Sequence, residues 1–135
     1  MKALEEVKKT VEGHLEMLKR LMENERLTLK EAKTGDKYNY HGVYVLTRPD
    51  NDEVVYVGKT TKKKDGIKGR IKDHLAISGK GESDLKAFLK KHRDYPQDPK
   101  EYYVRGIEIE DPRERGLFEC FLISVLNPPF NRIMK

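Results

Sequence analysis

Two tripeptides in the first half of the chain, GVY ending at Tyr44 and YVG beginning at Tyr56, each set one phenol in a run of valines. Further on come Arg70 and His74, four residues apart, then Glu119 inside the apolar stretch LFECFLISVL, and Asn131 just beyond Pro128-Pro129. A phenol or an imidazole can accept or relay a proton. A guanidinium grips two phosphate oxygens with its fixed fork, and a carboxylate holds a hard cation. Glu119 is the least expected member, because an unpaired carboxylate among core residues is costly and must be neutral, hydrogen-bonded or bound to a cation. Singly, each residue also fits an ordinary role: a packed tyrosine, a solvated arginine, a half-exposed glutamate, a surface or capping histidine. His14, His41 and His92 share that last reading with His74. No glycine-rich phosphate loop, zinc-ligand motif or nucleophilic serine elbow is present, so those chemistries have no residues to carry them.

The elements that must position these side chains follow from periodicity. Leu4, Val7, Val11, Leu15, Leu18 and Leu21 or Met22 recur at helical spacing, predicting an amphipathic helix over residues 2–24. Thr28 to Glu31 has the form of a capping box, opening a short helix to about Lys33 that Gly35 closes. From Gly42 the period becomes two, giving strands on either side of RPDND. With Arg48 to Asp52 as the loop, Thr47 faces Glu53 and Tyr44 falls directly opposite Tyr56. The two phenols then share a face, with Cβ atoms roughly 5 Å apart. Gly66 to Ala76 predicts a helix with Ile67, Ile71 and Leu75 inward and Arg70 and His74 one turn apart on its flank. Another helix fits Ser83 to His92, and a third strand fits Glu101 to Ile109. Asp111-Pro112 with Glu114 then opens an apolar helix to about Leu126, ended by Asn127-Pro128-Pro129. The expected fold class is α/β (α+β): a small three-stranded antiparallel sheet flanked by helices over residues 38–135, with residues 1–37 as an N-terminal helical extension.

Charged residues make up 38% of the chain, with a net charge of +5. The basic excess is local. Lys59, Lys62, Lys63, Lys64, Lys68, Arg70 and Lys72 face a single acid, Asp65, between positions 59 and 72, and such a run attracts phosphate. The single cysteine, Cys120, allows no internal disulfide and no cysteine zinc cluster. No apolar run reaches the length of a membrane span and no signal peptide is visible, so a soluble, cytoplasmic or nucleoid-associated protein is expected.

Taken in order, GVY, YVG, Arg70 with His74, Glu119, and PPFN ending at Asn131 resemble the GIY-YIG nuclease superfamily domain, over about Tyr40 to Arg132. Val43 and Val57 stand where the family name has isoleucines, and the stretch from His74 to Glu119 is longer than in the smallest members. The resemblance implies a metal-dependent endonuclease that hydrolyses DNA phosphodiester bonds, a stand-alone restriction or homing-type enzyme. The alternative is a nucleic-acid-binding module of the same kind that has lost catalysis. The resemblance further implies one divalent ion, magnesium or manganese, on Glu119. Tyr44 would be the general base or the group that orients the water, helped toward phenolate by Lys59, Arg70 and the ion. His74 would accept the Tyr44 proton or hold its hydroxyl, Arg70 would bind the scissile phosphate, and Tyr56 would position water or phosphate. Asn131 would be a structural support. DNA contacts are expected from Lys62, Lys63, Lys64, Lys68 and Lys72, and a homodimer through the N-terminal helix.

Overall fold

The computed structural model describes residues 1–61, 65–75, 77–78 and 81–133. Strand β2 (Gly42–Thr47) runs through the interior of the sheet, and every residue of GVYVLT is buried. A strand covered on both faces needs apolar side chains at nearly every position. On one side of it lies β3 (Val54–Lys59), and on the other β6 (Tyr103–Glu108), both antiparallel. Beyond β6 comes β1 (Leu27–Thr28), so the order is β1-β6-β2-β3. The sheet thus has four strands where periodicity predicts three, because a two-residue strand has no alternation to read. Ile77–Ser78 and Gly81–Glu82 form a separate small pair, β4 and β5.

Helices cover both faces. On the first, α2 (Leu29–Thr34), α3 (Gly66–Leu75), α4 (Asp84–Lys91) and α6 (Pro129–Ile133) bring Leu29, Ile71, Leu89 and Phe130 against Tyr44, Leu46, Val55 and Val104. On the second, α1 (Lys2–Glu23) and α5 (Pro112–Leu126) bring Leu21, Phe118 and Leu122 against Val43, Val45, Val57 and Ile107. Leu21, Leu29 and Ala32 are fully or almost fully buried, so the N-terminal segment is built into both cores. Helix ends are capped by the residues whose chemistry suits them. Thr28 and Glu31 form a reciprocal capping box, Ser83 and Asp111 accept from the first turns of α4 and α5, and Asn127 ends α5 in the left-handed region at φ 46. Among the described residues no helix is long and apolar enough to cross a membrane.

The hairpin register differs from the expected one. Arg48 N–H donates to the Glu53 carbonyl at 2.9 Å, so the loop is Pro49 to Asp52, one residue shorter than predicted. Val55 is then an extra residue between the Leu46–Tyr56 and Thr47–Val54 pairs. This bulge turns both Val55 and Tyr56 toward the first core. Each change moves the pairing by one position, and together they restore parity. Tyr44 faces Gly58 instead of Tyr56, yet the two phenols stay on one face of the sheet.

Asp52, at φ 60, fastens the loop to the sheet. Its carboxylate accepts the Thr47 hydroxyl at 2.6 Å and both terminal nitrogens of Arg105 at 3.0 and 2.9 Å. Arg105 is only 9% exposed, so removing its partner strands a buried guanidinium. Asp52→Ala should therefore cost about 1–3 kcal/mol. Urea unfolding should show a lower midpoint with an unchanged slope; an unchanged midpoint contradicts this role for the loop.

Candidate active site

Tyr44 is fully buried, and its register partner Gly58 is what makes room for it. A Cβ at Gly58 would come within 2.5 Å of Cζ and of the hydroxyl oxygen of Tyr44, so any side chain there displaces the phenol. The hydroxyl is hydrogen-bonded to Nε2 of His74 at 2.8 Å. Tyr56 closes the group: its ring centroid lies 6.2 Å from that of Tyr44 and 5.3 Å from the His74 imidazole.

Helix α3 presents His74 and Arg70 because its first turn is pinned. Gly66 sits at φ +56, where a Cβ would fall 2.1 Å from the Tyr40 carbonyl oxygen. The N–H groups of Ile67 and Lys68 donate to the carbonyls of Tyr40 and Tyr38 at 2.9 and 2.7 Å, satisfying donors that a helix start otherwise leaves open. Ile67 and Ile71 then point into the core. His74 meets Tyr44, and the Arg70 guanidinium lies beside the hydroxyls of Tyr44 and Tyr56. Arg70 also reaches Asp73 at 3.5 Å, while its Nε is buried with no hydrogen-bond partner among the described residues.

The electrostatics fix the resting protonation states. Burial, followed by the charge of Arg70, pulls the His74 imidazole down from 6.5 to about 4. It is neutral at pH 7, so the bond joins an uncharged imidazole to the Tyr44 hydroxyl. Burial pushes the Tyr44 phenol well above its ordinary value, and Tyr56 and Glu119 push the same way while Arg70 opposes them. The pull toward phenolate expected from Arg70 is present but outweighed, and Lys59 spends its charge on Glu119. At rest Tyr44 is a phenol.

Glu119 reaches the site from the opposite face of the sheet. It lies on α5, with its carboxylate 3.8 Å from Nζ of Lys59, the last residue of β3. Its side chain is 19% exposed. Burial raises its carboxyl above the usual range, while Lys59 and Arg70 hold it down. After α5 the chain turns at Asn127-Pro128 into α6, which packs on the first face, so it wraps the open edge of β3. Asn131 closes that edge: its amide accepts from the Val57 N–H and donates to the Val57 carbonyl, both at 2.8 Å. A side-chain amide here takes the place of a neighbouring strand.

No group of three or more His, Cys, Asp or Glu gathers into a metal cage among the described residues. A lone, poorly solvated carboxylate such as Glu119 fits a magnesium-like ion, which keeps most of its waters and takes further oxygens from a phosphate. The remaining residues singled out in the sequence are dispersed. Lys68 pairs with Asp36 at 3.1 Å and Lys72 with Asp65 at 3.8 Å. Lys62, Lys63 and Lys64 lie outside the described residues. His14 packs against Phe118 and Phe121, His41 bonds to Thr60, and His92 stacks on Phe88. Sequence reasoning missed Gly58, although a glycine inside a strand is a signal of close approach. No known family model matches the chain, and no curated protein matches its sequence.

The depressed imidazole predicts a pH dependence. Between pH 6.5 and about 4 the unfolded His74 takes up a proton that the folded one refuses. Its contribution is therefore complete above pH 6.5 and falls as pH drops through that window, by on the order of 3 kcal/mol. Denaturant unfolding of His74→Gln should show a shallower loss of stability across the window than wild type. Identical pH profiles contradict the assignment.

Proposed function

We propose that the protein is a divalent-metal-dependent endonuclease that hydrolyses DNA phosphodiester bonds, a stand-alone restriction or homing-type enzyme of the GIY-YIG kind acting in the cytoplasm or on the nucleoid. The observation that carries this reading is the buried 2.8 Å bond between Tyr44 and His74, with Arg70 beside the phenol. Around it stand Tyr56 and, from the other face, Glu119.

Phosphodiester hydrolysis needs a water relieved of its proton, positive charge on the phosphate, and support for the departing oxygen. The Tyr44 oxygen can take a proton from the attacking water as its own proton passes to Nε2 of His74. Arg70, whose guanidinium lies beside the Tyr44 and Tyr56 hydroxyls, is suited to grip two phosphate oxygens. Its charge depresses His74, so a phosphate bound to Arg70 cancels that effect and strengthens the imidazole as a base when substrate arrives. Tyr56 lines the place where water and phosphate meet. Lys59 opposes the upward push of burial on the Glu119 carboxyl, and Glu119 would carry a magnesium or manganese ion supplying positive charge to the phosphate and the leaving oxygen.

Charge also supports a path for the DNA backbone. A groove of about 690 Å³, bordered by Lys30, Lys33, Lys86 and Lys100, opens beside Leu75, the residue after His74. Replacing these four lysines by alanine should weaken duplex binding and reduce its salt slope by roughly 0.9 for each lysine that reaches a phosphate. Replacing Lys62, Lys63 and Lys64 should act in the same direction. An unchanged slope in either variant removes that segment from the interface.

Plasmid cleavage tests the activity itself. Cleavage should require a divalent metal and be abolished in Glu119→Ala, with melting temperature and metal-free duplex affinity retained. Metal-independent cleavage, or a fully active Glu119→Ala, contradicts the proposal. Duplex binding with no cleavage under any divalent metal instead identifies a binding module that has lost catalysis.

A further inference from the structure

Glu119 is the carboxylate suited to a divalent ion, yet the charges that act on it are positive. Nζ of Lys59 stands 3.8 Å from its Oε1. This is an ion pair without a hydrogen bond, since charge-assisted bonds close to roughly 2.9 Å. The ammonium also lies 3.7 Å from where a Cβ at Gly116 would stand. Gly116 and Glu119, three residues apart, are neighbours on the surface of α5. Lys59 therefore rests along the same flank of the helix as the carboxylate. Arg70 is the second cation whose charge is felt there. Asp73 pairs with Arg70 at 3.5 Å but is not among the charges that act on Glu119.

A divalent ion gains from a site according to the negative charge it meets, and one carboxylate flanked by two cations offers little. No group of three or more His, Cys, Asp or Glu adds to it among the described residues. A phosphate changes the balance in two ways. It brings oxygens that a magnesium-like ion readily takes as ligands. Its charge also offsets Arg70, whose guanidinium lies beside the Tyr44 and Tyr56 hydroxyls.

We infer that Lys59 makes the metal site conditional on phosphate: its ammonium opposes a divalent ion at Glu119 until a phosphodiester arrives to share that ion. Lys59 is thus a selecting residue that acts on the ion through the field at Glu119 and is not a ligand. Coupling between two ligands is reciprocal, so the ion tightens the duplex by the factor with which the duplex tightens the ion. The chain without DNA stays largely unloaded, and the ion is admitted together with the phosphate.

The inference rests on the nuclease reading, and manganese binding separates the two without any cleavage. Electron paramagnetic resonance of Mn2+ with the full chain measures the free ion, with and without a mixed-sequence duplex. Working at pH 8, far above an ordinary glutamate at about 4.3, favours the ionised carboxylate in every variant. Glu119→Gln with the same duplex accounts for ions held by DNA alone. In wild type the Glu119-dependent affinity should be at least about tenfold higher with duplex than without. Lys59→Met, uncharged and of similar length, should raise the duplex-free affinity at least about tenfold and narrow that gap. Lys59→Arg keeps the charge and should behave as wild type. Equal Glu119-dependent affinity with and without duplex in wild type overturns the inference and leaves the nuclease reading standing. So does a Lys59→Met variant that binds Mn2+ no better than wild type, or a Lys59→Arg variant that matches Lys59→Met. Mn2+ binding that never depends on Glu119, with or without duplex, overturns the inference together with the reading beneath it.

Discussion

A phenol enclosed within an interior strand must give its hydroxyl a partner, since a buried hydroxyl left without one costs about 1–3 kcal/mol. Tyr44 finds that partner in His74, and the bond constrains several elements at once. Gly58 must lack a side chain so that the ring can lie across it. Helix α3 must start at one place and one rotation, which Gly66 and the carbonyls of Tyr38 and Tyr40 secure. Strand β2 must be covered on both faces, which requires helices from both ends of the chain. The hydrogen bond between Tyr44 and His74 thus links sheet register to helix placement.

The same arrangement produces a site that is electrically quiet at rest. Tyr44 is pushed up and His74 down, chiefly by burial, so both are neutral at pH 7. The fixed charges stand around them: Arg70 on one face of the sheet, Glu119 with Lys59 on the other. The chain wraps from α5 into α6 around the β3 edge, so residues from the two faces of the sheet approach one another there. Asn131 keeps that edge closed by bonding to Val57.

Much of this organisation was legible in residue types. The periods of α1, β2, β3 and α3, the capping box at Thr28 and the helix opening at Asp111 all appear where spacing and cap chemistry predict them. The register was less accessible. A four-residue loop and a five-residue loop share the same turn formers, and the bulge at Val55 arises from packing both Val55 and Tyr56 into one core. Strand β1 is too short to show a pattern, and its existence depends on pairing with β6. The direction of the Tyr44 shift was hidden for a related reason. Sequence shows which charges accompany a phenol, but the depth of its burial is a property of the packed structure.

Tyr44→Phe keeps the ring over Gly58 and removes only the oxygen, so it isolates the step on which the proposed chemistry depends. The decisive measurement is single-turnover cleavage of a duplex, with magnesium, by wild type and by this variant. The account predicts a rate at least about 10²-fold lower in the variant, with fold and duplex affinity retained. A variant that cleaves at the wild-type rate would show that the buried Tyr44–His74 pair is architecture alone.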